Sequence, residues 1–564
     1  MKTDTGSSVV LLFSFNNHFS LLGLLRKNMV EVNLFSALAV GAVILLLYHY
    51  IAKKYHYFLT KPIPCIKPTF LLGIFDMVVL KRVELVFGSK LLYNSYPDAK
   101  IIGYYELTKP TYMVRDPEMI KKIAIKDFDS FTDRTPVFGD AVPADSLFFN
   151  SLFSLRGQKW RDMRSTLSPA FTGSRMRHMA ELVAKCATSM TDFIHSEAKA
   201  GRRLEFNMKD TFSRFVCDAI ASVAFGIEVD SFRDPENEFY KKGNESQKIH
   251  TFKSLATFVT LRFVPFLQKV FNFDFVDANV AGYFKKLILD NMDQRKKQGI
   301  VRNDLVNMLM ETKKGALKYE EPDMQVSEGY ATVEESHVGK STHSRIWTDN
   351  ELISQCFFFF FAAFDNVSSI LAFLSYELTV NQDIQRRLYE EIAVTESTLN
   401  GQPITYEALQ KMAYLDMVVS EALRKYPTAT LTDRYANKDY VFDDEEGLRF
   451  VIEKGKTIWI PMLALHHDPK YFPEPERFDP ERFSEDNRSK IVPGTYLPFG
   501  AGPRSCIGPR LALLEVKMAL YHLVKDFNLQ ASEKTQIPLR LSKSAFTMQA
   551  ENGVWLELKA RPKA

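Results

Sequence analysis

The residues best placed to do chemistry lie in one window, Phe499-Gly500-Ala501-Gly502-Pro503-Arg504-Ser505-Cys506-Ile507-Gly508. Cys506 is its one soft, ionisable donor. The glycines let backbone turn tightly and approach a neighbour with no Cβ in the way. Pro509 opens a run with helical spacing, and a helix N-terminus favours a thiolate over a thiol. A lone cysteine is more often an inert buried side chain. The glycines and helix start around this one, with Arg504 beside it, would equally suit a thiolate that holds a metal.

Other residues could assist such a centre. Trp160 and Arg164 lie one helical turn apart, and Glu421 and Arg424 form an i, i+3 pair. Arg434, in Thr432-Asp433-Arg434, and Arg482, in Pro480-Glu481-Arg482-Phe483, add guanidinium groups that suit carboxylates in bidentate geometry. Taken singly, each is commonplace. Asp365 and Asn366 sit inside an otherwise apolar run and need a reason to be buried. His466-His467-Asp468 suggests a metal site, but consecutive side chains diverge, so a structural turn is the better reading.

These residues need elements to hold them. Thr348 with Glu351 is a capping-box signature, and no Pro or Gly follows before Val380. That predicts a central helix of about 30 residues and about 45 Å, apolar all round at Phe357–Phe361. Helical spacing also covers 176–195, 281–298, 405–425 and 509–526, while 99–106, 111–114, 449–452 and 457–461 read as short strands. Phe252–Phe275 reads equally as core or as a second membrane-dipping surface, and 313–345 as a polar loop. The whole is mainly α with small β-sheets (α+β): a single large domain over 61–564 behind an N-terminal transmembrane helix.

The anchor is Leu34–Ala52, uncharged and apolar, followed by Lys53 and Lys54. That basic flank puts the downstream chain on the cytoplasmic side. Residues 29–60 form the anchor region, and 1–28 are expected to be a non-native or extra extension, with Met29 the natural start. A formal charge of +4 over 564 residues gives no case for nucleic acid. The 5 cysteines are odd in number and scattered, against a disulfide framework or a C-x-x-C zinc site. The 45 phenylalanines suggest a wide aromatic interior.

The window fits F-x-x-G-x-R-x-C-x-G at every fixed position, including Phe499, Gly502 and Gly508, and so resembles the cytochrome P-450 superfamily, over nearly all of Leu34 to Leu558. The resemblance implies heme b (iron protoporphyrin IX) with Cys506 as axial thiolate. It places Trp160, Arg164, Arg434 and Arg504 toward the haem propionates, and Glu421, Arg424 and Arg482 in a buried ion network. Gly329–Ser336 resembles a loop of insect microsomal members of the ninth family (clan three), associated with lipophilic xenobiotics. The implied reaction inserts one atom of O2 into a lipophilic substrate at the endoplasmic reticulum membrane. Its electrons come from NADPH through a flavoprotein reductase, with a cytochrome b-type donor as a second source. Arg156, Lys159, Arg161 and Lys517 are candidates for docking that reductase, and Phe361, Phe364, Ala429, Thr430 and Phe546 for lining the substrate pocket.

One departure stands out. The family pattern A-G-x-D/E-T reads Ala362-Ala363-Phe364-Asp365-Asn366 here. Ala363 adds a methyl where the family opens a groove for dioxygen, and Asn366 replaces the hydroxyl that manages protons. Asp365 is retained and could relay protons. Altered coupling in a monooxygenase is the expectation. The alternatives are an oxygen-independent hydroperoxide isomerase or dehydratase, or a non-catalytic haem-binding protein.

Overall fold

A computed structural model describes residues 34–67, 88–106, 108–136, 142–247, 268, 273–302, 304–313, 345–444, 446–542 and 547–562. The readings made for 1–28, most of Phe252–Phe275, nearly all of 313–345 and Phe546 lie outside them.

Helices form where apolar positions recur at three and four. Seven matter here: α1 (Leu34–Tyr55), α2 (Gly157–Leu167), α3 (Gly173–Lys199), α4 (Met208–Ile220), α5 (Asp349–Val380), α6 (Ala413–Lys425) and α7 (Pro509–Asp526). α5 starts where its cap dictates. Thr348 Oγ1 accepts the N–H of Glu351 at 3.3 Å, and Glu351 Oε2 accepts the N–H of Thr348 at 2.9 Å. α5 is long and apolar enough to cross a membrane, yet 67% of its most apolar stretch is buried in protein. It is a core helix, packed along α4 and crossed by α7.

The expected helix over 405–425 is two helices, Tyr406–Gln410 and α6. Glu391 is the reason. Its carboxylate accepts the N–H groups of Tyr414 and Leu415, both at 2.8 Å, giving α6 its own N-terminal cap.

Strands β1 (Ile101–Glu106), β2 (Lys109–Val114), β3 (Glu205–Asn207), β4 (Thr432–Tyr435), β5 (Tyr440–Asp443), β6 (Arg449–Ile452), β7 (Thr457–Ile460), β8 (Phe527–Ala531) and β9 (Trp555–Ala560) make three small sheets. Their orders are β1-β2-β7-β4, β3-β9-β8 and β5-β6. β2 and β7 run parallel, and the other pairs are antiparallel. One core lies among the helices and a second packs around the four-stranded sheet. The window 499–508 joins them: Ala501 belongs to the sheet core, while Phe499 and Ile507 pack against the helical one.

Candidate active site

The cysteine loop is closed by its own backbone, the Cys506 N–H donating to Phe499 C=O at 2.8 Å. Closure places Gly500 and Gly502 at φ +82° and +67°. At Gly502 a Cβ would lie 1.9 Å from the carbonyl oxygen of Ala124, so no other residue fits. At Gly508 a Cβ would meet Phe171 at an ordinary 3.5 Å, so the chain's own packing does not demand that glycine.

Cys506 lies deep in the protein, yet its side chain is open to a cavity of about 760 Å³. Burial raises its thiol pKa, against the Gly508 N–H and the guanidinium groups of Arg164 and Arg134, which pull it down. Burial thus opposes, and the helix start favours, the thiolate; a bound cation would decide the balance, since coordination deprotonates a thiol outright.

Trp160, Arg164, Phe499, Arg504 and Gly508 line the same cavity. Arg164 donates to the carbonyls of Ser505 (2.9 Å) and Cys506 (3.5 Å), tying α2 to the loop. Arg504 donates to Thr132 O at 2.7 Å and Leu155 O at 2.9 Å, pairs with Asp133 at 3.2 Å, and stacks 3.9 Å over the Trp160 ring. Arg434 is wholly buried behind that wall, donating to Ala501 O at 2.6 Å and Asp433 O at 2.8 Å.

Sequence reasoning missed Arg134, which lines the cavity and reaches Thr432 Oγ1 at 3.0 Å and Asp433 at 3.2 Å. A signal existed. Thr132-Asp133-Arg134 repeats the tripeptide Thr432-Asp433-Arg434, and the two copies lie side by side through the Asp133–Tyr435 bridge. Glu515 was also missed. It borders the cavity, neither carboxylate oxygen has a partner, and burial pushes its pKa up to about 8.

Glu421 and Arg424, both fully buried, form a two-bond pair at 2.7 and 2.8 Å, and Arg482 approaches Glu421 at 3.4 Å. Arg424 also donates to His466 O at 2.9 Å and Pro475 O at 2.7 Å, which pins α6 to the segment before the loop. The residues at 466–468 diverge: His466 Nε2 accepts the Leu497 N–H, His467 Nε2 meets Lys425 O, and Asp468 accepts the Tyr93 hydroxyl.

On α5, Phe361, Ala362, Ala363, Asp365 and Asn366 face the cavity. Asn366 donates Nδ2 to Ala362 O at 2.7 Å, within its own helix. Asp365 is ion-paired to Lys209 of α4 at 2.8 Å and accepts the Thr547 hydroxyl at 3.2 Å. Ala429 lines the cavity, but Phe364 and Thr430 do not, a correction to the expected pocket. Phe364 sits two residues past Ala362, on the opposite side of the helix, and packs on Phe360 and Tyr240. Thr430 uses its carbonyl to hold Leu463.

The docking cations need correcting too. Lys517 is fully buried and paired with Asp416 at 2.8 Å, so it presents no charge to a partner. Lys159 and Arg161 are partly exposed, paired with Glu351 at 2.6 Å and Asp129 at 2.7 Å.

These residues fit a metal macrocycle bearing carboxylates. Among the described residues no group of three metal-binding side chains occurs, so a metal on Cys506 must bring its other ligands with it. Arg504 Nη1 and Arg434 Nε are buried without partners. Burial and the neighbouring Arg134 charge lower Arg434 to about 9 and hold Arg504 well below its ordinary value. Such a guanidinium cluster is relieved by added carboxylates.

Comparison with known proteins agrees. The family model for cytochrome P450 matches residues 88–556. The chain is 40% identical to cytochrome P450 9e2 of Blattella germanica over 539 residues, covering 93% of this chain and 97% of that protein. It is 40% identical to probable cytochrome P450 9f2 of Drosophila melanogaster over 534 residues, covering 93% and 99%. With cytochrome P450 9b2 of the same fly the figure is 39% over 469 residues, covering 82% and 86%. The chain belongs to the cytochrome P450 family and is an oxidoreductase of the monooxygenase class. The family implies haem on a cysteine thiolate, with O2 as co-substrate.

Proposed function

We propose that this protein is a microsomal monooxygenase that inserts one oxygen atom of O2 into a lipophilic small molecule, with NADPH electrons delivered by a flavoprotein reductase. The observation that carries this reading is that Cys506 and the Ala362–Asn366 segment of α5 border one cavity. Haem b on Cys506, its carboxylates toward Trp160, Arg164, Arg134, Arg434 and Arg504, would supply thiolate-driven O–O cleavage.

The chain's own residues do the rest. Phe148, Phe153, Phe275, Phe358 and Phe361 wall the cavity with rings. Their centroids lie 4.8–6.4 Å apart, which excludes water and favours a bulky lipophile. Asp365 holds its carboxyl group at the cavity wall, paired with Lys209. Arg156, Lys159 and Arg161, at the start of α2, are our candidates for meeting an acidic reductase.

Membrane attachment through α1 at the endoplasmic reticulum completes the proposal. Its 22 residues span about 33 Å as a helix, and Val43, Leu45, Leu46, Tyr48 and Tyr50 are exposed.

The test is reconstitution with reductase and NADPH, with product, peroxide and NADPH use measured in parallel. Wild type is expected to give product and the red-shifted carbon monoxide band of thiolate ligation, and Cys506→Ser to lose both. Lipid hydroperoxide turnover without NADPH would replace this reading with the isomerase, and haem uptake with no turnover would replace it with a binding protein.

A further inference from the structure

The relay expected from the family pattern has lost its hydroxyl at Asn366. A carboxamide keeps donor and acceptor on separate atoms, so it cannot receive a proton and release one through the same atom as a hydroxyl does. One of its two N–H donors, moreover, is taken by Ala362 O at 2.7 Å.

A different hydroxyl stands at the same cavity. Thr547 lines it, donates Oγ1–H to Asp365 Oδ2 at 3.2 Å, and accepts from Gln549 Nε2 at 3.3 Å. The other carboxylate oxygen, Asp365 Oδ1, is 2.8 Å from Lys209 Nζ. Ser368 Oγ and Ser369 Oγ, both at 2.7 Å, hold the same Nζ in place. The Lys209 side chain is 29% exposed, so solvent reaches part of it while its Nζ is held inside by these partners. Burial lowers its pKa, which eases proton release.

We propose that Thr547 supplies the proton-relaying hydroxyl that Asn366 lacks, at the end of a path running from solvent through Lys209 and Asp365 to the cavity. This rests on the oxygen-activating reading above. Each turnover consumes one O2, two electrons from NADPH through the reductase and two protons, and leaves one oxygen in product and one in water. For each proton, Lys209 Nζ–H protonates Asp365 and Lys209 is reprotonated from solvent. Rotation of the protonated carboxyl carries that proton from the Lys209 side to Thr547 Oγ1, as the hydroxyl releases its own to reduced oxygen in the cavity. The hydroxyl is thereby restored, and Asp365 returns to carboxylate.

Three variants of the full-length, haem-loaded protein test this. Thr547→Val removes the hydroxyl with little change in volume and should slow proton delivery on the order of 10²-fold. Peroxide released per NADPH then rises several-fold and product falls. Thr547→Ser should keep the wild-type ratio, and Asn366→Thr placed on Thr547→Val should restore it. A readout outside turnover is the C–O stretching frequency of the carbon monoxide adduct of reduced protein, which should shift in Thr547→Val as the hydroxyl dipole leaves the cavity wall. An unchanged frequency, or a wild-type peroxide ratio in Thr547→Val, overturns the assignment, as does a Thr547→Ser protein as uncoupled as the valine variant. If wild type supports no NADPH use above that of the reductase alone and yields neither product nor peroxide, the oxygen-activating reading itself fails, a result distinct from product-forming wild type matched by Thr547→Val.

Discussion

The cysteine wall of the cavity and the α5 wall hold their polar groups in different ways. Around Cys506, Arg504 is fixed by two backbone carbonyls, a carboxylate and an indole face, and Arg424 by Glu421 and three more carbonyls. On α5, Asn366 turns back on its own helix, and Asp365 depends on side chains from distant segments, Lys209 and Thr547. Backbone acceptors survive most substitutions, because any residue supplies them; side-chain partners do not. The first wall is thus built for permanence, and the second can be rewired by single replacements.

The largest expected effect tests that permanence. Arg424→Met should strand Glu421 in a fully buried site and cost about 3–5 kcal/mol, read by denaturant unfolding. A loss below about 1 kcal/mol would mean that the network is not what rigidifies this wall.

Glu515 is the exception on the same wall, a buried carboxylate with no partner. Below the unfolded value near 4.5 both states carry its proton, and stability does not depend on it. Between there and about 8 only the unfolded chain gives the proton up, so stability falls as pH rises, then levels off. Glu515→Gln should abolish that slope and stabilise the protein at pH about 8 by a few kcal/mol, at about 1.4 kcal/mol per unit, with no gain near pH about 4. A gain equal at both pH values would assign the effect to packing instead of charge.

The α5 wall should respond in coupling while its fold stays intact. Asn366→Thr alone should lower peroxide per NADPH by less than about tenfold, under about 1.4 kcal/mol, because Thr547 already offers a hydroxyl. If the ratio does not move, Asn366 causes no uncoupling. Smallest of all, Lys159→Glu at the rim should slow reduction by the reductase at low salt and cost less than about 1 kcal/mol of stability, since its partner Glu351 is a near-surface pair. A rate independent of salt and charge would remove Lys159 from the docking face.

How far each wall could be read in advance follows from the same contrast. The cysteine window was legible because its requirements are local: glycines at fixed offsets, a helix start, a cysteine between them. The start of α5 was legible for the same reason, its cap being three residues long. Phe364 was misplaced because sequence gives a helix its apolar residues without giving the direction that meets the cavity. Lys517 looked like a surface cation because nothing near it in sequence announces Asp416, about a hundred positions away.

By itself, then, the sequence determined the family, the candidate ligand cysteine, the central helix and the departure at Ala363 and Asn366. Each is written in residues within about one helix turn or one tight loop of one another. Only the tertiary structure decided that Arg134 joins Arg434 and Arg504, that Glu515 is buried without a partner, and that Asp365 sits between Lys209 and Thr547. Those partners lie 156 and 182 positions from Asp365. Burial and charge pairing act through space, and it is packing that sets which distant side chains share a low-dielectric wall.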